Sequence, residues 1–409
     1  IKSSGSDSYS IGGLAGYVNS ECDIQNCSNS AKVSNAKYAG GLIGYAERKA
    51  AIKTSNNSGT ISGNAVYTAA TDPQTLPDSS VGGLIGFAKQ DLDIQGKPSL
   101  DEQGKPIIVK CENSGVINNA KHGGGIVGKC LGNSYIKYCD NSNYIYATHH
   151  VGGIIGWANC AYISDCDNKE NVYAVMGKIE YEERSVETTY TGGIVGYLAN
   201  NKDMFNYIIN CDNISPINTI ISNATYNGGI LGYFNGGGTT QYIVNCSNNG
   251  RVMGYGNTFL SLCYAGGIVC RAKGDIFISA CTNSGNVEAY SIKEGVISAG
   301  IIAIAYNVTI GIENDENSIV RNTGHIGDKY SSQTYASAGI VGIVLNTGKF
   351  NKYRKEEKVF NTYSNEGTIS AAEHEANICF YHPDATIEGV TNDAEHPNNI
   401  VQWTWNSPI

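Results

Sequence analysis

The sequence predicts an all-β fold, a single-stranded right-handed parallel β-helix of about ten coils, and three observations predict it. A glycine-framed apolar motif recurs ten times. A second motif, centred on asparagine, follows every copy. The shortest unit, from Gly12 to Gly40, is about 28 residues, too long for one strand and too short for a domain, so it has to bury its apolar face on its neighbours.

The first motif reads Gly12-Gly13-Leu14-Ala15-Gly16-Tyr17, Gly40-Gly41-Leu42-Ile43-Gly44-Tyr45 and Gly82-Gly83-Leu84-Ile85-Gly86-Phe87, then recurs from Gly124, Gly152, Gly192, Gly228 and Gly266. Two degenerate copies start at Ala299 and Ala338. The second motif is I-x-x-C-x-N-x-x-x-[V/I]. Its cysteine slot holds Cys27, Ser55, Cys111, Cys139, Cys166, Cys211, Cys246, Cys281, Val320 and Tyr363. Two places on stand Asn29, Asn57, Asn113, Asn141, Asn168, Asn213, Asn248, Asn283, Asn322 and Asn365. The segments are short, rich in Ile, Val and Tyr, and bounded by Asn, Ser and Gly, which reads as strands and turns. No capped 3.6-residue periodicity competes with that. Two or three strands per coil and a strand spacing of ~4.8 Å give a rod roughly 45 to 50 Å long. The right hand follows by analogy with parallel crossovers.

Each column of the repeat has a physical reading. Paired glycines suit a bend that needs either positive φ or close backbone approach. Cysteine behaves as a small buried hydrophobe, so the seven cysteines read as a stacked luminal column, with disulfides between coils as the alternative. The asparagines read as an amide ladder and also suit a left-handed bend. Fifty glycines and thirteen cysteines in 409 residues thereby acquire one cause.

Composition narrows the function classes. A net charge of −9 argues against nucleic acid as a partner, and no apolar run reaches the length of a membrane span. Gly123-x-Gly125-x-x-Gly128 spells a dinucleotide fingerprint but is the fourth repeat, without a βαβ context. His374-Glu375 begins like a zinc-protease helix, yet Ile378 stands where the second histidine belongs. Two columns remain as candidate sites. The residue after the cysteine slot is acidic in four coils, Glu112, Asp140, Asp167 and Asp212, a row that points outward and offers Ca²⁺ ligands, an acid/base pair or a solvated edge. The sixth residue of the glycine motif is aromatic in six, Tyr17, Tyr45, Phe87, Trp157, Tyr197 and Tyr233, either an exposed stripe for sugar rings or a protein partner, or a covered ladder. Insertions at roughly 63–80, 89–107, 174–191, 254–263 and 347–359 mark loops, where binding usually resides. That of 89–107 reads as an exposed hairpin. Lys349, Lys352, Arg354, Lys355 and Lys358 form a basic patch.

The alternation of G-G-[LI]-[IV]-G-[YF]-A with C-x-N-S-G-x-[IV] resembles the GLUG-motif repeats of bacterial surface and secreted proteins, repeats that also accompany the catalytic domain of IgA-specific metallopeptidases. The resemblance covers about residues 11–370 and weakens in the last two glycine copies. It implies a β-helical adhesin at the cell surface or outside the cell, and it carries no catalytic residues. The expectation is therefore a solenoid over 1–370 with a C-terminal cap over 371–409, in which Trp403 and Trp405 help cover the last coil. The protein is expected to be a non-enzymatic monomer that binds a glycan or host protein, with no cofactor unless Ca²⁺ binds the acidic row. A carbohydrate-active lyase or hydrolase using Asp140 and Asp167, and a passive stalk, are the alternatives. No secretory leader precedes Ile1, so leader and anchor are expected to lie outside this sequence. Buried thiols are inert, which reconciles many cysteines with an oxidising compartment.

Overall fold

The computed structural model describes residues 10–65, 78–95, 97–100, 106–175, 188–199, 206–222, 224–256, 262–291, 296–327, 336–355, 358–370, 374–392 and 397–402. It is a parallel β-solenoid. Among the described residues the one helical piece is a 3₁₀ turn at Glu316–Ser318.

The second coil shows the plan. Val33–Ala36 and Tyr38–Gly40 fold back on each other as an arch. The chain bends through Gly41 and Leu42, runs along Ile43–Ala46 and Ala50–Lys53, and returns through the two-residue strand Asn56–Asn57. This coil has five short strands, whereas two later coils merge them into the expected three, Cys111–Asn113, Ile117–Gly124 and Val127–Lys137 and then Cys139–Asn141, Ile145–Gly152 and Ile155–Ser164. Equivalent strands pair in parallel from coil to coil, as in Gly12↔Gly40 and Ile24↔Ile52, with local bulges such as those at Ser62/Gly63 and Cys130/Asn133. The short strands build a ten-stranded sheet from Ser28–Asn29 to Tyr363–Asn365.

Two cores run along the axis. One lies inside the arch, with Val33, Ala36, Ala39, Ile61 and Val81 at its start and Val252, Cys263 and Val287 further on. The larger holds the Leu42, Ile52 and Ile94 columns together with the buried cysteines of the repeat slot, from Cys111 to Cys281. Burying one isoleucine contributes about 1.5–3 kcal/mol, and the Ile52, Ile94, Ile136 and Ile163 side chains are all inaccessible to solvent. A coil carries several such residues, so its stability resides in its contacts with the next coil.

Insertions leave the coil at few points. Ile117–Gly124 is one continuous strand, yet it pairs with both Ile61–Gly63 and Ser80–Gly82, so the segment between those two leaves at the arch tip. Ile145–Gly152 spans Val172–Val175 and Thr188–Gly192 in the same way. Two antiparallel hairpins emerge instead before the short strand, Lys97–Leu100 with Pro106–Val109 and Lys352–Lys355 with Lys358–Asn361. The second carries the basic patch except for Lys349, which lies in the strand Val341–Phe350, and its Lys355 pairs with Glu316.

The parallel ladders run past residue 370. His374–Ala376 pairs with Ala336–Ala338, Cys379–Tyr381 with the strand Val341–Phe350, and Ile400–Gln402 with Cys379–Tyr381. The segment expected as a separate cap thus adds further rungs to the same sheets. Trp403 and Trp405 lie outside the described residues.

Candidate functional site

The two half-motifs meet at the waist between the two cores. Each asparagine donates from Nδ2 to the carbonyl two residues on and to Oδ1 of the next coil's asparagine. The inter-coil bonds from Asn29 through to Asn365 measure 2.7 to 2.9 Å. The ladder continues through Asn377, which stands where other coils carry the second glycine, to Asn399. The second glycine of each pair lies against this ladder. A Cβ on Gly41 would fall 2.6 Å from Asn57 Cγ, and one on Gly193 would fall 2.5 Å from Asn213 Cγ. Close approach, not positive φ, is the reason for glycine here, since none of the paired glycines is left-handed. The left-handed position is the residue before the cysteine slot, at Asn26, Thr54, Tyr138, Asp165, Asn210, Asn245 and Ala280. The ladder asparagines do not make that bend.

Cys111, Cys139, Cys166, Cys211, Cys246 and Cys281 are buried and Cys27 is half-buried. Ser55, Val320 and Tyr363 occupy the same column, also buried. No disulfide joins any of the thirteen cysteines. Sγ of Cys211 donates to the carbonyl of Ile209 at 3.2 Å, just as Ser55 Oγ does to Lys53 at 2.8 Å. Burial pushes the thiols of Cys139, Cys166, Cys211 and Cys246 well above their ordinary range, which suppresses the reactive thiolate.

Lysines of the same chain pair with the middle two carboxylates of the acidic column. Lys110 Nζ sits 2.7 Å from Asp140 and 2.9 Å from Asp167, and Lys169 also pairs with Asp140. Burial alone would pull Lys110 down; its two carboxylate partners outweigh that and hold the ammonium above its ordinary range. Glu112 accepts from Ser142 at 2.7 Å and Asp212 from Ser247 at 2.6 Å. Asp140 is buried rather than displayed, because the lysines cover it. The cation between Asp140 and Asp167 is thus a lysine. Among the described residues no group of three His, Cys, Asp or Glu converges on a metal position.

The predicted aromatic stripe is half of a double file. Tyr38, His150, Tyr190 and Tyr226, each two residues before the glycine pair, interleave with it. Tyr38 stacks on Phe87 at 4.7 Å, Tyr190 meets Tyr197 at 5.2 Å, and Tyr226 meets Tyr233 at 5.8 Å. Trp157 and Tyr197 stack at 6.0 Å, and Tyr45 lies 5.2 Å from Tyr17. Phe87 is buried, Tyr45, Trp157, Tyr197 and Tyr233 are half-buried, and Tyr17 at the end of the file is 50% exposed. Lys129 over Trp157 and Arg271 over Tyr226 and Tyr233 close it further.

A second aromatic row escaped the sequence reading. The residue before the motif isoleucine is Tyr135, Tyr162, Tyr207, Tyr242 and Phe277 in coils four to eight, and the register stacks them directly. Successive centroids are 4.9, 5.8, 4.9 and 5.6 Å apart. The signal was available as an aromatic in five consecutive copies of that position. Another outward group is Tyr144, Tyr146 and Tyr173 on the arch, with Tyr146 and Tyr173 stacked at 4.9 Å.

Residues 7–34 and 35–62, the first two coils, each match the family model for the GLUG motif. The chain thus carries the GLUG motif in its first two coils. No curated protein and no solved structure matches it. Among the described residues no helix is long and apolar enough to cross a membrane.

Coils four and five also hold a polar cluster that the repeat pattern does not foretell. His122 Nε2 lies 2.9 Å from Asp78 Oδ1, and His122 Nδ1 lies 2.8 Å from His150 Nδ1. A carboxylate only accepts, so Nε2 carries His122's proton and Nδ1 accepts from His150. Burial depresses His122 to about 4 despite Asp78, and burial followed by repulsion from His122 holds His150 well below its ordinary range. The hydrogen bond from His122 keeps Asp78 ionised well below the usual carboxylate range. At neutral pH the pair is an uncharged imidazole relay, and His150 stacks on Tyr190 at 5.3 Å.

Proposed function

We propose that this GLUG-repeat chain is a non-enzymatic surface or secreted protein that binds a glycan or a host protein along one face of its solenoid. The observation that carries the reading is a rigid frame that displays aromatic rows on its outer strands, with Tyr135, Tyr144 and Tyr146 each 38–39% exposed. Tyrosine combines a large, stiff contact area with a polar tip, which suits a recognition surface. The arrangement of acids supports binding over catalysis. Asp140 and Asp167 share Lys110, which fills the place between them where a substrate would have to sit.

Glycan and extracellular-protein arrays probed with the full chain, alongside a polysaccharide turnover screen, test this. Saturable binding without turnover is the expected result. Turnover of any polysaccharide that is lost in Asp140→Ala would make the protein an enzyme. Silence on both arrays would leave only a stalk.

A further inference from the structure

The rings of the Tyr135–Phe277 row pack against one another, with Tyr162–Tyr207 and Tyr242–Phe277 tilted at 51°. Tyr135 and Tyr162 stack at an interplanar angle of 11°, and Tyr207 and Tyr242 at 13°. Tyr162 covers one face of Tyr135, so an external ligand has only the opposite face to stack on. At the N-terminal end the register puts Asp93, not a ring, opposite Tyr135. A cavity of about 390 Å³ opens at that place, lined by Lys49, Asp91, Asp93, Asn133, Tyr135 and Tyr162 among others. Its size is at the lower end of small-molecule sites.

The polar groups around it are anchored yet keep capacity to spare. Asp91 Oδ1 accepts from the Asn133 backbone N–H at 2.9 Å, and Asp93 accepts from Gln95 Nε2. An ionised carboxylate has about four acceptor positions, so both retain sites for hydroxyl donors. A wall of one aromatic face with two carboxylates and an ammonium beside it matches a molecule with an apolar C–H face and a hydroxyl rim. Two carboxylates against one lysine disfavour an anionic ligand such as a uronate or a phosphate.

We propose that this trough is a sugar-binding site, in which an uncharged hexose-type residue of a glycan lies against the free face of Tyr135 and gives its hydroxyls to Asp91 and Asp93. The proposal rests on the ligand-binding reading above and adds to it the place, the chemical class and the charge preference. The row of rings behind Tyr135 holds the platform rigid, so little conformational freedom is lost on binding.

The test is calorimetric titration of the full chain with neutral tetrasaccharides (cello-, malto-, manno-, xylo- and N-acetylchito-tetraose) and with oligogalacturonate. At least one neutral probe should bind. Tyr135→Ala should weaken it about tenfold and Asp93→Asn by roughly three- to tenfold, while Tyr135→Phe, which keeps the ring face, should bind as the parent does. Tyr290→Ala removes a ring stacked on Tyr255 on a different face and should leave affinity unchanged. Unaltered melting of Asp93→Asn separates a lost contact from a lost fold. Binding that ignores both Tyr135→Ala and Asp93→Asn, or oligogalacturonate binding as tightly as the neutral probes, would overturn the site and leave the broader reading intact. Capture of a protein ligand with no sugar bound would do the same, and absence of both kinds of ligand would overturn both.

Discussion

The waist and the outer aromatic row repeat along the same axis, yet they differ in how strictly they repeat. At the waist every coil supplies an asparagine, and its glycine partner leaves no room for a side chain. The outer row holds rings in only five coils and gives way to Asp93 at one end and Thr309 at the other. A close-packed position admits few replacements, as the buried cysteine column admits Ser55, Val320 and Tyr363, whereas an outward position is free to differ from coil to coil. What is invariant in this chain builds the rod, and what changes along it distinguishes one stretch of surface from another.

If that contrast holds, substitutions at the waist should cost most. Gly193→Ala is expected to lose more than about 4 kcal/mol, because the new Cβ would lie 2.1 Å from the Gly229 carbonyl oxygen. Denaturant unfolding that showed a loss under about 1 kcal/mol would mean that the coils slide apart easily. Asn213→Ala should cost about 3–4 kcal/mol. It strands the Asn168 amide, the Asn248 carbonyl and the Ser215 carbonyl in a buried place, each worth about 1–3 kcal/mol and not fully additive. Asn213→Asp, of similar shape but without the donor, should also destabilise, which would assign the loss to the ladder and not to volume.

The histidine pair gives an intermediate effect with a defined sign. The folded pKa of His122 is depressed from 6.5 to about 4, so the unfolded chain binds the proton more readily. The fold keeps its full stability above pH 6.5 and loses about 3 kcal/mol as pH falls toward 4. Melting temperature followed from pH 8 to pH 4 should drop through that window, and His122→Gln should flatten the drop. A slope unchanged by the substitution would place the pH sensitivity elsewhere. Cys211→Ser should be the mildest, within about 1.5 kcal/mol. The serine can donate to Ile209 as Ser55 does to Lys53, and a larger melting shift would show that the column depends on sulfur packing.

Much of the coil was legible because ten copies align themselves: slots that agree across copies announce the cysteine and asparagine columns. The left-handed bend was not, since Asn26, Thr54, Tyr138 and Ala280 share a backbone angle and no side-chain chemistry. Nor was the choice between the two roles of glycine, which is decided by a partner some 16 residues away, as Asn29 is from Gly13. The facing of the Tyr45 stripe depended on Tyr38, which approaches it only once the arch has closed. The Tyr135 row was visible in the letters but skips five coils, and a reading tuned to invariance passes over it. The lysines that fill the acidic column are Lys110 and Lys169, which stand at unspecified positions of the second motif, one before a cysteine and one after an asparagine.

The asparagine ladder also has a mechanical meaning. Its rungs are spaced unevenly along the chain, at 28, 56, 28, 27, 45, 35, 35, 39 and 43 residues. Tension applied at the two chain ends would load these rungs in series and peel coils singly from an end. Each rupture would release a length set by its own interval, at roughly 3.3–3.6 Å per extended residue, so a 28-residue coil yields about 90–100 Å and the 56-residue one about twice that. A stretched molecule would pay out its length in unequal steps, and their order would identify the end from which it unravels.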